Sequence, residues 1–326
     1  RGDLGAALAA RRSAAHAASE AGLKTREATL TINVGFALTT MGAKEEARVA
    51  IESGLALAQA VGSPGTARHG QMILLCWVAT FGPEPALDLL LADPRAIADN
   101  AVSGAWVPHD RATLGVLFYR GMELLGRDPA SRVPPPPRSR SSLDGDDERG
   151  SVSGISVGDH SARQARTLLK TAAGGYRATK MLDVLPVAVG LWAEAERRSG
   201  QPDRAVELAT EAVSLLEHGS PSLLNEAPIY LALHHALVDL GRVAEAKTAI
   251  ARGLPRLVTR VQGILGTAYA REFLTSVSSN AALLEAAERY DIVAPELAEI
   301  LERPSVAGAI PVAERAHEPA TKLAQP

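Results

Sequence analysis

The sequence predicts an all-α fold, an α-solenoid of antiparallel helical hairpins, and three observations predict it. The first is a recurring spacing of small residues. In residues 185–253, Gly200 is followed by Ala205 and Ala212, Gly241 is followed by Ala246 and Gly253, and the two glycines are 41 residues apart. A helical hairpin recurring at a period of about 40 residues is the mark of stacked helical repeats. The second is the three-to-four spacing of apolar residues between those markers, as in Leu208, Ala209, Ala212, Val213, Leu215 and Leu216, which gives a helix one buried face. The third is composition. Hydrophobic residues make up 46% of the 326 and aromatics only 4%, with alanine throughout. Alanine loses no side-chain entropy in a helix, and its small size lets helices approach closely.

The same spacing justifies the elements in chain order. Gly2, Ala7 and Ala14 fit it, and Gly42, Ala47 and Gly54 fit it again, with Ala37 five residues before the glycine. Gly82 with Ala86 and Gly126 with Ala130 are looser copies, each alanine one residue early. A glycine suits the end of a hairpin's first helix, where a left-handed backbone is cheap only without a Cβ. The alanines suit the crossing of the two helices. Asp3 and Asp203 fall beside the start of a second helix, where a carboxylate meets the positive end of the dipole.

The intervals between the glycines are 40, 40, 44, 74 and 41 residues. Residues 128–160 account for the long one. This segment is rich in proline, serine, glycine and charge, has few residues able to enter a core, and is expected to be disordered. Removing its 33 residues leaves one ordinary period. Residues 161–173, with Ala165 and Ala172 seven apart, are therefore expected to be the second helix of the hairpin begun by 109–126. On this reading 1–127 and 161–303 are two parts of one solenoid, 128–160 is an insertion in a hairpin loop, and 304–326 is a flexible tail. The alternative is two half-solenoids on a tether. Gly174-Gly175 is expected to break the chain, and 176–199 to form one long helix carrying Pro186. Two or three helices after residue 253 would close the array, and 291–303 would add a short last one.

Several function classes are disfavoured. Formal net charge is −3 with both signs mixed, so no basic stripe offers itself to nucleic acid. No run of 18 apolar residues suggests a membrane partner. A single cysteine, Cys76, excludes an internal disulfide and a cysteine metal cluster and fits a reducing, cytoplasmic setting. The chain opens Arg1-Gly2-Asp3 in what reads as the middle of a repeat, so a longer polypeptide is expected.

The hairpins resemble tetratricopeptide repeats. The family's small-residue positions match Gly35, Gly42, Ala47 and Gly54 in one copy and Ala193, Gly200, Ala205 and Ala212 in another. A third has Gly241, Ala246 and Gly253, with His234 in place of the small residue of the first helix. The family's aromatic after the turn is missing, and the period exceeds the usual 34 residues. The length is similar to that of repeats behind bacterial signalling ATPases. Leu224, Asn225, Glu226, Arg271, Phe273, Leu274, Val277, Asn280 and Leu283 also make 222–290 similar to the ends of bacterial proteins joining a serine/threonine kinase, an AAA-type ATPase and a repeat tail. That resemblance implies a regulatory role without kinase activity here, since no GxxxxGK[ST], HRD or DFG occurs.

In tetratricopeptide repeats the first helix of each pair lines a concave groove. Carried over, the groove positions include Phe36, Thr39 and Thr40, then Glu194, Arg197 and Arg198, then His235 and Asp239. An aromatic, two arginines and two acids suit a peptide segment, and alanine at Arg197 or Arg198 is expected to weaken partner binding at unchanged melting temperature. Adjacent histidines, as at His234-His235, point about 100° apart on a helix and rarely share a metal. His235 is expected in solvent or groove, paired with Asp239. Cys76, in an apolar helix, reads as a buried structural thiol. Asp144 to Glu148 lacks a calcium loop. Pro134 to Pro137 reads as polyproline II, and Arg138 to Ser142 suits a basophilic kinase.

These residues predict a non-catalytic scaffold with no metal or cofactor, whose partner is a protein, a peptide or a neighbouring domain of the same polypeptide. The alternative is a repeat domain that senses a small molecule. A large pocket lined by convergent polar side chains would favour the alternative, and a purely open groove would disfavour it.

Overall fold

A computed structural model describes residues 4–103, 110–126, 157–219, 222, 224–265 and 267–302. The described residues are all-α. The first four helices, α1 (Leu4–Glu20), α2 (Lys24–Thr40), α3 (Lys44–Ala60) and α4 (Pro64–Phe81), have nearly equal lengths. A short 3-10 turn, Pro85–Leu87, leads to α5 (Ala92–Ser103), followed by α6 (Arg111–Gly126) and α7 (Val157–Ala178). Then come α8 (Leu185–Arg198), α9 (Pro202–His218), α10 (Ala227–Asp239), α11 (Val243–Gln262), α12 (Ala270–Thr275), α13 (Ser278–Arg289) and α14 (Pro295–Glu302).

Packing follows chain order. α2 packs on α3 and also on α4; α4 packs on α6; α8 packs on α9 and on α10; α10 packs on α11 and α13. The even-numbered helices from α2 to α10 thus form one layer, continued by α13. The small residues picked out by the spacing sit at the crossings: Ala47, Ala205, Ala212 and Ala246 have no exposed surface. In α2 and α3 the fit is reciprocal. A Cβ on Gly54 would lie 2.7 Å from Cγ1 of Ile32, and one on Gly35 would overlap Cγ1 of Ile51. Each isoleucine fills the space left by the opposite glycine, at full burial.

The two ends of the described chain meet. The Gly5 N–H donates to Gly263 O at 3.3 Å. Arg12 pairs with Glu46 at 3.0 Å, and the Tyr269 hydroxyl donates to the same carboxylate at 2.8 Å. Gly42, with φ +82°, ends α2 directly against residues 272–273, where a Cβ would lie 2.8 Å from backbone atoms of Glu272 and Phe273. The helices therefore run round in a closed ring, with the α2–α13 layer facing its middle.

Three local expectations are corrected. Gly174-Gly175 does not break the chain: α7 runs through both to Ala178, and a Cβ on Gly175 would collide with Leu114 of α6. Residues 176–199 are not one helix. The chain leaves α7, passes Lys180 in the left-handed region at φ 56°, and starts α8 at Leu185. Pro186 occupies the first turn of α8, where no backbone N–H is needed, so it causes no kink. Finally, α7 begins at Val157, inside the segment expected to be unstructured. α6 and α7 pack along each other; the rest of that segment, the tail after residue 302, the Asp144 cluster and the polyproline stretch lie outside the described residues.

Candidate functional site

The inner layer surrounds a cavity of about 210 Å³. Helical spacing decides which residues reach it. On α8, Val187, Leu191, Glu194 and Arg198 recur at intervals of four, three and four, which puts them on one face. Pro228, Leu231, Ala232 and His235, at intervals of three, one and three, share one face of α10. Cys76, Ala79 and Thr80 come from α4, and Phe118, Tyr119, Met122 and Leu125 from α6. Thr39 and Thr40 end α2, and Val277 to Ser279 open α13. Most of this wall is apolar.

Its polar groups are few. The hydroxyls of Thr39, Thr40 and Thr80 donate to Gly35 O at 2.9 Å, Ala37 O at 2.8 Å and Cys76 O at 2.8 Å. Asn225 Nδ2 donates to Ser279 Oγ at 2.9 Å and Asn280 Oδ1 at 2.7 Å. Burial pushes the Cys76 thiol up to about 12 and the Tyr119 hydroxyl well above its usual value, so both are neutral.

Glu194 is the buried charge in the wall, at 7% exposure. Arg197 grips it with two bonds of 2.9 Å, and Arg198 Nε donates to it at 2.6 Å. Further donors are used nearby: Arg197 Nη1 meets Asp239 at 2.9 Å and Arg198 Nη1 meets Leu125 O at 2.6 Å. Burial alone would raise the Glu194 carboxyl. Hydrogen bonding from Arg197, the approach of His235 and the charges of the two arginines outweigh it and hold the group well below the usual carboxylate range.

His235 is different. It is 7% exposed, and neither ring nitrogen has a hydrogen-bond partner. Its nearest charged neighbour is Glu194, 3.7 Å from Nδ1, beyond hydrogen-bonding range. His234 points elsewhere, 3.4 Å from Ala246 O and edge-on to Tyr290. Burial, with the neighbouring His235, lowers its pKa to about 4, so it is a neutral packing residue.

The structure brings together five of the eight expected groove residues, Thr39, Thr40, Glu194, Arg198 and His235, on one cavity wall. Phe36 is half-buried against the core instead. Arg197 and Asp239 stand just behind the wall and bind each other. Three expectations therefore change. His235 is buried and Asp239 pairs with Arg197, not with it. The arginines are not free to take a peptide carboxylate, because Glu194 and Asp239 hold them. Replacing either by alanine would strip a partner from a buried carboxylate, so an unchanged melting temperature is no longer expected.

Sequence reasoning missed Tyr119, Asn225 and Ser278–Ser279 as wall residues, and placed Cys76 correctly as buried without seeing that it faces a cavity. Asn225 carried a usable signal: a polar residue just ahead of an apolar helix opening with Pro228. Among the described residues no group of three or more His, Cys, Asp or Glu is placed to hold a metal, and no helix is long and apolar enough to cross a membrane. No family model matches the sequence, and none of the curated proteins compared with it does.

Proposed function

We propose that this chain is a non-catalytic helical-repeat domain of the tetratricopeptide kind that senses a small molecule. The observation that carries the reading is a cavity at the middle of the ring, reached by side chains from six helices, with a buried histidine in its wall that makes no hydrogen bond and lies 3.7 Å from the Glu194 carboxylate. Small-molecule sites have this character: concave, mostly apolar, with a few placed polar groups. An unsatisfied buried polar group costs about 1–3 kcal/mol, and a ligand that satisfied it would recover part of that.

The mechanism follows from the ring. The seam between its ends includes a backbone hydrogen bond, an exposed ion pair of the kind worth about 0–1 kcal/mol, the Tyr269 hydroxyl and the close approach of Gly42 to residues 272–273. The cavity touches both sides of that seam, Thr39 and Thr40 from one end of the chain and Val277 to Ser279 from the other. A ligand in contact with both favours the closed arrangement over an opened one and shifts the population accordingly. A neighbouring ATPase or kinase module in a longer polypeptide would read the change.

The alternative, a peptide-docking scaffold, has less support, since the charges expected to grip a peptide are already paired with one another. The test is thermal unfolding of the whole chain with and without N-phenyl-1-naphthylamine, an uncharged aromatic probe. The reading expects the melting temperature to rise with probe concentration. An unchanged melting temperature at saturating probe would count against it.

A further inference from the structure

We infer that the molecule this cavity takes is uncharged, with an apolar body and one hydrogen-bonding end, and that His235 holds that end. The inference rests on the reading of the cavity as a ligand site and narrows it.

Charge balance is the first ground. Glu194 and Asp239 face Arg197 and Arg198, two acids and two bases joined at 2.6–2.9 Å. Cys76 and Tyr119, held neutral by burial, add no charge to offset a ligand's. Arg198 looks like an anion clamp in isolation, but its charge is already met by Glu194. A ligand carboxylate would find both arginines already paired, and a ligand ammonium both carboxylates. Either would be a buried charge without compensation, which is the costly case.

The second ground is the distribution of polarity. Leu191, Leu231, Phe118 and Met122 supply a broad apolar surface. The threonine hydroxyl protons are spent on carbonyls of their own helices. His235 has two buried nitrogens that make no hydrogen bond, Nδ1 lying 3.7 Å from Glu194 and Nε2 facing no polar group that bonds it. A hydroxyl or amide on the ligand can meet it at either ring nitrogen.

The test is calorimetric titration of the whole chain, near neutral pH, with three molecules that share one tail: 1-octanol, octanoate and octylammonium. The expected result is that 1-octanol binds at least about tenfold more tightly than either ion. His235→Leu should weaken 1-octanol about tenfold, while His235→Gln, which keeps a donor and an acceptor, should retain most of the affinity. Octanoate or octylammonium binding as tightly as 1-octanol would overturn the inference. So would an unchanged 1-octanol affinity in His235→Leu. If N-phenyl-1-naphthylamine binds and 1-octanol does not, this inference alone fails. If neither binds, the cavity reading fails with it.

Discussion

Glu194 shows how a single residue's role depends on what surrounds it. Its position on α8 gives it a place in the cavity wall, but the two arginines one turn on decide its chemistry. Three hydrogen bonds from Arg197 and Arg198 keep it ionised at nearly full burial. Removing one member of such a buried set leaves the others uncompensated, which is costlier than the set is worth as a whole. Glu194→Gln keeps the shape and removes the charge, so it is expected to lower unfolding free energy by about 3 kcal/mol, read from urea denaturation. A loss below about 1 kcal/mol would mean that the arginines find other partners. The residue identities at this site were legible in the sequence, five of them now on one wall. Their mutual pairing was not, because Asp239 lies 42 residues from Arg197 and only the stacking of α8 on α10 brings them together. His235 was misplaced for a related reason. An i,i+4 histidine–aspartate pair is the natural local guess, but across-helix geometry gives Asp239 to an arginine.

Among the elements, the small residues did the most to make the fold readable. The glycine–alanine spacing located α2–α3, α8–α9 and α10–α11 because each copy places a small side chain where two helices touch. It missed Gly22 and Gly62, which also turn the chain with positive φ, since they close the second helix of a pair and lie outside the pattern. It misread Gly174-Gly175, because a glycine needed for close packing looks the same in sequence as one needed for a turn. Gly42 serves both purposes, and Gly22 provides the control. Both have positive φ, but a Cβ on Gly22 would meet nothing within 4 Å, whereas one on Gly42 would strike the backbone of 272–273. Gly22→Ala should therefore cost about 1 kcal/mol, the price of a left-handed alanine. Gly42→Ala should cost at least about 2 kcal/mol more, because backbone must move, and it should loosen the seam. Equal losses in denaturant titrations would show that the ends do not press together there.

For the whole molecule, closure is what draws the expected groove residues round one cavity. The helix pairs and their order could be read from residues, because they follow from local periodicity. The meeting of α1–α3 with residues 263–273 could not, because curvature accumulates from small rotations at every helix crossing and no motif encodes the sum. That unseen step turned expected groove residues into cavity walls and moved the favoured reading from peptide docking to small-molecule sensing.

The most direct test is a fluorescence titration with N-phenyl-1-naphthylamine of the wild-type chain beside Ala79→Phe, which puts an aromatic ring into the cavity from α4. Wild type should bind the probe saturably, one molecule per chain. The filled variant should melt no lower than wild type and lose at least about tenfold in affinity. Equal binding by both proteins would place the probe elsewhere and contradict the account.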